Sequence, residues 1–237
     1  MSVTVTFVGS GDSFGSGGRF NPCFVVDTPD VRYAIDFGAS SLIALNQAGI
    51  DHNTIDAIVL THFHADHCAG IPFMLMDAML GAKRDRPLII AGPRDTVSML
   101  EAVRDALFPG MDVMVPKFDL EFIEMDVMKP NKVGEHISVT PYPALHTVET
   151  NPTSVRCEAS GKVVSYTGDS AWTKHMPALG RDANLLIAEC YFYEKPIRFH
   201  LNYPDVKEHW EEFGAKRIIL THFSREMMQH KDNVPED

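Results

Sequence analysis

The sequence predicts a layered α/β sandwich. Short β-rich runs alternate with helical patterns along its 237 residues, several strands follow one another directly, and helices fall in both halves. With 45% hydrophobic residues the chain can bury a large core, and residues 1–237 read as one domain.

Taken in order, Val3 to Val8 alternates like a strand, and Cys23 to Val26 and Arg32 to Ile35 also read as strands. Ser40 to Ala48 carries apolar residues at helical spacing and is stopped by Gly49. Ala57 to Leu60 is an apolar run suited to a buried strand. Gly70 to Leu80 returns to helical spacing and carries Met74, Met76 and Met79, which are expected in the core or at a subunit contact. Leu88 to Ile90 (strand), Thr96 to Leu107 (helix) and Phe118 to Ile123 (strand) complete the first half. Ile137 to Thr140, Ser154 to Cys157 and Lys162 to Tyr166 form a second group of strands. Ala171 to Leu179 (helix), Leu185 to Ala188 (strand), Asp205 to Phe213 (helix) and Arg217 to Leu220 (strand) close the pattern.

Composition excludes several classes. Cys23, Cys68, Cys157 and Cys190 are scattered with no C-x-x-C pair, so neither a disulfide framework nor a thiolate zinc ribbon is indicated, and a reduced, cytoplasmic protein is expected. The N-terminal "MSVTVTFVG" lacks a basic leader, and no apolar run approaches the ~20 residues that cross a bilayer. A formal net charge of −11 opposes broad binding to nucleic acid, which relies on clustered Lys and Arg. The one dense basic cluster, Lys83, Arg84 and Arg86, reads as a solvated loop.

"THFHADHC", Thr61 to Cys68, places three histidines and an aspartate within six positions. If the preceding strand runs on through His64, His62 and His64 point to one side and can meet one metal, because the side-chain period of a strand is two. Asp66 and His67 follow a turn away with the oxygen and nitrogen donors that zinc accepts at ~2.0–2.2 Å. Parts of two metal sites result. A Ser-His-Asp reading fits poorly, since such partners come from distant parts of a chain. The Ala57 to Phe63 stretch "AIVLTHF" is echoed by "RIILTHF" at Arg217 to Phe223, which puts a second histidine where a strand gives way to a loop.

The motif H-x-H-x-D-H in "THFHADH" resembles the signature of the metallo-β-lactamase fold hydrolases. The resemblance covers essentially the whole chain, with "IDFG" (Ile35 to Gly38) looking like the family's strand-end D-x-G. It implies an αββα four-layer sandwich and two divalent metal ions, zinc by preference with manganese or iron as options. By the family pattern His62, His64 and His146 hold one ion, Asp66, His67 and His222 the other, and Asp169 bridges them. Independent reasoning agrees at two points. Asp169 follows a strand and a Gly168 turn, and His146 follows its strand where the rival His136 precedes it.

Glu189 in "IAECYFYEKPIRFHLNYPD" and His200, which lies 22 residues before His222, resemble the ribonuclease Z and small phosphodiesterase branch. A phosphodiester needs such a pair: a metal-bridging hydroxide attacks phosphorus, and the departing alkoxide takes a proton from an imidazolium held by a carboxylate. Asp66, His200 and Glu189 are therefore the catalytic candidates, with His200 as general acid. His175 and His209 are expected to be merely exposed. Arg19 and Asn21 resemble that branch's Arg-Asn pair near substrate, with Phe20 intervening.

Two departures matter. Leu201, Asn202 and Tyr203 replace the branch's threonine or serine run, and no Gly- and Pro-rich basic arm for gripping tRNA lies between Asp169 and Glu189. A small or cyclic phosphodiester is thus the expected substrate, with large nucleic acid disfavoured as a partner, no membrane, and a homodimer implied by resemblance. The alternatives are a tRNA 3′-processing endonuclease and a lactonase or other acyl hydrolase. A serine hydrolase using Ser13 of "GDSFG" is a weaker option, because glycines and Pro22 follow where a helix should start. A non-catalytic metal-binding protein is disfavoured because all seven ligand positions are filled.

Overall fold

The computed structural model describes residues 2–234, in which two six-stranded mixed sheets pack face to face. The first sheet takes its strands in chain order: β1 (Thr4–Gly9), β2 (Cys23–Asp27), β3 (Arg32–Ile35), β4 (Ala57–Val59), β5 (Leu88–Gly92) and β6 (Leu120–Glu124). β1, β2 and β3 pair antiparallel; β3 to β6 are parallel. The second sheet contains β7 (Asn131–Val133), β8 (Ile137–Pro143), β9 (Thr153–Ala159), β10 (Lys162–Tyr166), β11 (Leu185–Glu189) and β12 (Ile218–Thr221), with β12 and β7 at its edges. β7 to β10 run antiparallel, and β10, β11 and β12 are parallel.

Helices cover the outer faces: α1 (Ser41–Gln47), α2 (Ala65–Cys68), α3 (Gly70–Leu80), α4 (Thr96–Leu107), α5 (Met176–Gly180), α6 (Tyr203–Glu208) and α7 (Arg225–His230). The sequence explains the layering. In β2, Phe24 and Val26 face the second sheet and pack with Val139, Cys157 and Tyr166, while Cys23 and Val25 face out toward Leu45, Ile71 and Met74. A strand covered on both faces needs apolar residues at every enclosed position, which is why β4, β5 and β3 beyond Arg32 read as hydrophobic runs. Met176 and Leu179 of α5, Val206 of α6 and Met227 of α7 cover Leu186 and Ala188 on the other side. The result is helix, sheet, sheet, helix, as expected.

The parallel registers set up the working edge. Ile35 pairs with Val59, and Val59 with Ala91, so β3, β4 and β5 end together; Glu189 pairs with Thr221 in the other sheet. Loops leaving these ends share one rim of the sandwich, where α/β folds collect functional groups.

Several local expectations change. The helix expected over Ala171 to Leu179 is only α5, because Ala171 instead donates its N–H to the Leu145 carbonyl at 3.0 Å, and Pro177 suits a helix start. The helix expected from Asp205 begins at Tyr203 under an Asn202–Asp205 capping box and gives way to a 3-10 turn at Trp210–Phe213. The polar edge strand β7 and the short helices α2 and α7 carry too little periodicity to be foreseen. Arg84 corrects the solvated-loop reading: it is 4% exposed, and its guanidinium donates to the carbonyls of His52, Asn53, Ile55, Arg86 and Pro87. His209 is half-buried, stacked on Trp172 at 3.9 Å, and His175 is also half-buried.

Met74 and Met76 are buried in the core. All four cysteines are free and buried. No helix among the described residues is long and apolar enough to cross a membrane.

Candidate metal centre

The strand carrying the opening motif ends earlier than its sequence suggests. β4 stops at Val59, Leu60 still donates to the Ala91 carbonyl, and His64 caps α2. His62 and His64 therefore meet across an extended loop rather than along a strand. Asp66 and His67 occupy the first turn of α2.

The anchor of this loop is Asp36, which follows β3 in a left-handed conformation (φ 56°) and is fully buried. Its carboxylate accepts the Thr61 N–H at 2.8 Å, the Thr61 hydroxyl at 2.8 Å and the His67 Nδ1–H at 2.6 Å. The register that ends β3 and β4 together makes this possible. Because Thr61 Oγ1 spends its only proton on Asp36, its 3.0 Å contact with His62 Nδ1 requires the histidine to be the donor. His146 Nδ1 likewise donates to the Phe199 carbonyl at 2.9 Å.

In His62 and His146, then, the outer nitrogen holds the proton and Nε2 presents a lone pair inward; His67 Nε2 faces the Asp66 and Asp169 carboxylates and would present one on losing its second proton. His64 Nδ1 lies 3.2 Å from His62 Nε2 and 3.0 Å from His146 Nε2. Three imidazole nitrogens converge here, and the Nε2 lone pairs of His62 and His146 both face His64 Nδ1, a donor arrangement that suits a shared cation. Fixing one imidazole nitrogen by a hydrogen bond so that the other can bind metal is how ligating histidines are oriented.

Asp169 comes from the loop after β10 and His222 from the residue after β12. Gly168 holds the Asp169 loop at φ 58°; a Cβ there would lie 3.0 Å from both the Thr153 carbonyl oxygen and Thr61 Cβ. Three donor groups result, each with ligand atoms within 4.8 Å of one another: His62, His64, His146 and Asp169; Asp66, His67, Asp169 and His222; and Asp169, Glu189, His200 and His222. Asp169 belongs to all three, and the first two contain every residue singled out as a ligand. The structure thus brings together all seven residues singled out as ligands.

Their chemistry fits divalent cations. Asp66 Oδ2, His67 Nε2 and Asp169 Oδ1 are buried without a hydrogen-bond partner, although His67 Nε2 stands 3.2 to 3.3 Å from the two carboxylates. Asp36, Asp66, Asp169 and Glu189 are buried, and Arg84, the buried cation among the described residues, donates its hydrogen bonds elsewhere. Burial opposes the His67 imidazolium, yet Asp169, Asp66 and Asp36 together hold its proton well above the usual histidine range. Burial, with the charge on His67, pushes His62 well below that range. A divalent cation held between these carboxylates would take the place of the His67 proton, so its binding would release protons.

Beside these groups, Glu189 ends β11 fully buried. One carboxylate oxygen accepts the Ser170 N–H and the other accepts His200 Nδ1–H at 2.8 Å. Burial works against charge on His200, but Glu189, with Asp169 and Asp66 beyond it, pushes its pKa up to about 9. The ring of Tyr191 stacks on His200 with centroids 4.8 Å apart. A charged imidazole is therefore held against the shared carboxylate, with His200 Nδ1 4.0 Å from Asp169.

A cavity of about 360 Å³ opens next to His64 and Asp66, lined also by Ser13, Phe14, Asn21, Ala39 and Ala65. Asn21 accepts from the Ser40 N–H and hydroxyl and donates to the Asp12 carbonyl, so its amide braces the loop. Arg19 lies over the Phe223 ring at 4.9 Å and contacts the Met228 sulfur. Ser13 is exposed in a turn, followed by a three-residue 3-10 turn rather than a helix, and no histidine among the described residues is bonded to it. Sequence reasoning did not assign Asp36, Thr61, Tyr191 or the Phe199 carbonyl to the site. Asp36 had a signal in "IDFG"; the carbonyl had none.

Comparison with known proteins follows this geometry. Residues 32–223 match the family model of the Beta-lactamase superfamily domain. A curated relative, Ribonuclease Z of Agathobacter rectalis, is 25% identical over 257 residues, covering 85% of this chain and 81% of its own. Among solved structures, human tRNase Z, short form, superposes with a TM-score of 0.77 at 20% identity, covering 95% of this chain and 94% of its own. A diphosphatase from the PhnP family superposes at 0.76 with 18% identity, covering 99% and 92%.

Proposed function

As the chain belongs to the β-lactamase superfamily and is a metal-dependent hydrolase, we propose that it hydrolyses a small or cyclic phosphodiester at a dinuclear site, with His200 as the general acid. The observation that carries the reading is the His200–Glu189 pair set against the shared Asp169.

In this reading His62, His64 and His146 hold one divalent ion and Asp66, His67 and His222 the other, with Asp169 between them; zinc suits the nitrogen and oxygen donors, as do manganese and iron. Two such cations, when bound, would supply charge neutralisation at phosphorus and a more acidic water. The chain supplies the rest. Asp36, Thr61 and the Phe199 carbonyl fix the imidazoles, which removes any need to reorganise during reaction. Glu189 keeps His200 protonated and aimed, so that Nε2 can give a proton to the departing alkoxide. An acyl transfer has less need of an acid so strongly held.

The ribonuclease Z relatives support a second reading, a tRNA-processing nuclease. Charge favours the small substrate. Lys and Arg number 21 against 32 Asp and Glu, and the segment joining β10 to β11 contains α5 with only Lys174 and Arg181 as cations. A polyanion needs many phosphate contacts, whereas two bound cations attract one phosphate locally. The test compares a precursor tRNA with a 3′ trailer, bis-nitrophenyl phosphate, cyclic nucleotides and an acyl-homoserine lactone at physiological salt. Hydrolysis of the small phosphodiesters is expected, with weak tRNA binding that falls steeply as salt rises. Efficient trailer removal would establish the nuclease reading instead, and preference for the lactone would defeat both.

A further inference from the structure

We propose that Phe14 is a stacking platform for a planar base on the substrate, which makes the small phosphodiester a nucleotide; this rests on the phosphodiesterase reading. The Phe14 ring is 82% exposed, yet it lines the same cavity of about 360 Å³ as His64 and Asp66. Isolated exposed apolar residues are ordinary on protein surfaces. What sets this one apart is how firmly its backbone is held.

Asp12 is 1% exposed, and its carboxylate accepts the Phe14 N–H at 3.2 Å, the Ser16 N–H at 2.8 Å and the Ser16 hydroxyl at 2.8 Å. Asn21 ties the Asp12 carbonyl at 3.1 Å and is itself locked to Ser40 beside α1. Gly15 turns the chain at φ 65°, a left-handed conformation that most residues avoid. A loop so fully bonded holds the Phe14 backbone in a fixed place at the mouth of the cavity. The ordering cost that would oppose capture by a mobile loop has been met on folding.

The cavity's other surfaces match a base. Ala39 and Ala65 give small apolar contacts, and the exposed Ser13 hydroxyl can pair with a base edge. His64 and Asp66 place the phosphate end among the ligand residues. Every nucleobase has a π face, so stacking on Phe14 selects nucleotides as a class without choosing among bases.

The test compares adenosine 3′,5′-cyclic phosphate with the base-free ribose 3′,5′-cyclic phosphate. Phe14→Ala should reduce the ratio of their kcat/KM values by roughly 5- to 150-fold, the range that one base–aromatic stack represents, chiefly through KM for the nucleotide. Phe14→Trp should retain the ratio, and its added fluorescence, read against the Trp172 and Trp210 background of the wild type, should be quenched by the nucleotide and not by the base-free compound. An unchanged ratio in Phe14→Ala would overturn the platform. If the wild type hydrolyses neither compound nor bis-nitrophenyl phosphate, the phosphodiesterase reading fails; whenever the two cyclic compounds are not hydrolysed, the Phe14→Trp titration decides the platform alone: quenching by nucleotide upholds it, and absence of quenching overturns it.

Discussion

His200→Ala is expected to slow hydrolysis of a phosphodiester with an alkoxide leaving group by roughly 10²–10⁴, the range of general acid-base assistance, with metal content unchanged. The reason is local. His200 is not among the seven proposed ligands, but its proton is held by the fully buried Glu189 at 2.8 Å beside Asp169. A nitrophenolate leaves without a proton, so bis-nitrophenyl phosphate should suffer much less. Equal slowing of both substrates, or loss of metal, would remove His200 from that role.

The pH profile gives the same role a second readout. The group is pushed up to about 9, opposed by burial and driven by Glu189, so the acid form is present at neutral pH and is lost as pH rises through that value. Cations held nearby move the loss to lower pH, since like charges repel the imidazolium. The alkyl substrate should therefore show a falling alkaline limb that the nitrophenyl substrate lacks, and His200→Ala should abolish the difference. In the metal-free protein, the raised folded value means that His200 contributes stability fully below about 6.5, its ordinary value, and loses it as pH climbs toward about 9.

Asp36→Ala should cost about 3–5 kcal/mol of stability and weaken metal binding about 10- to 100-fold. The carboxylate receives three buried protons, from the Thr61 N–H, the Thr61 hydroxyl and His67 Nδ1. Removing it leaves all three donors enclosed without an acceptor and frees His67 to rotate. Through Thr61 the loss also reaches His62. Urea unfolding of the metal-free variant reads the first effect and chelator competition reads the second. Near-wild-type values in both would show that Asp36 does not organise the centre. Asp36→Asn keeps one acceptor oxygen and should fall between the two.

What the sequence made legible follows from how local each signal is. The buried strands announced themselves because β4, β5 and β3 beyond Arg32 are covered on both faces and had to be apolar there. His62, His64, Asp66 and His67 were visible through crowding in one short stretch. His146, Asp169 and His222 came from the ligand order that the family resemblance implies, supported by their places just after strands. The strand continuation through His64 was wrong in form, because Asp36 captures Thr61 and pulls the chain off the sheet two residues after Val59.

Contacts between distant segments were the harder part. Nothing near His146 reveals that Phe199, 53 residues on, supplies the carbonyl that sets its tautomer. Arg84 looked solvated because its neighbours are charged; only the fold brings five carbonyl groups around it. α7 depends on a Ser224 cap and on packing of Met227, which a six-residue helix cannot advertise through periodicity.

The most direct test of the central claim is a metal titration of chelator-treated protein, with zinc, manganese or iron added in steps while hydrolysis of a cyclic phosphodiester and bound metal per chain are measured together. The donor set predicts no activity without metal, and recovery that saturates as occupancy reaches two ions per chain. It also predicts a rise in thermal stability over the same range, because the ligands come from loops of both sheets. A serine-directed fluorophosphonate should leave the recovered activity intact. Full activity in metal-free protein, or its abolition by the fluorophosphonate, would contradict the account.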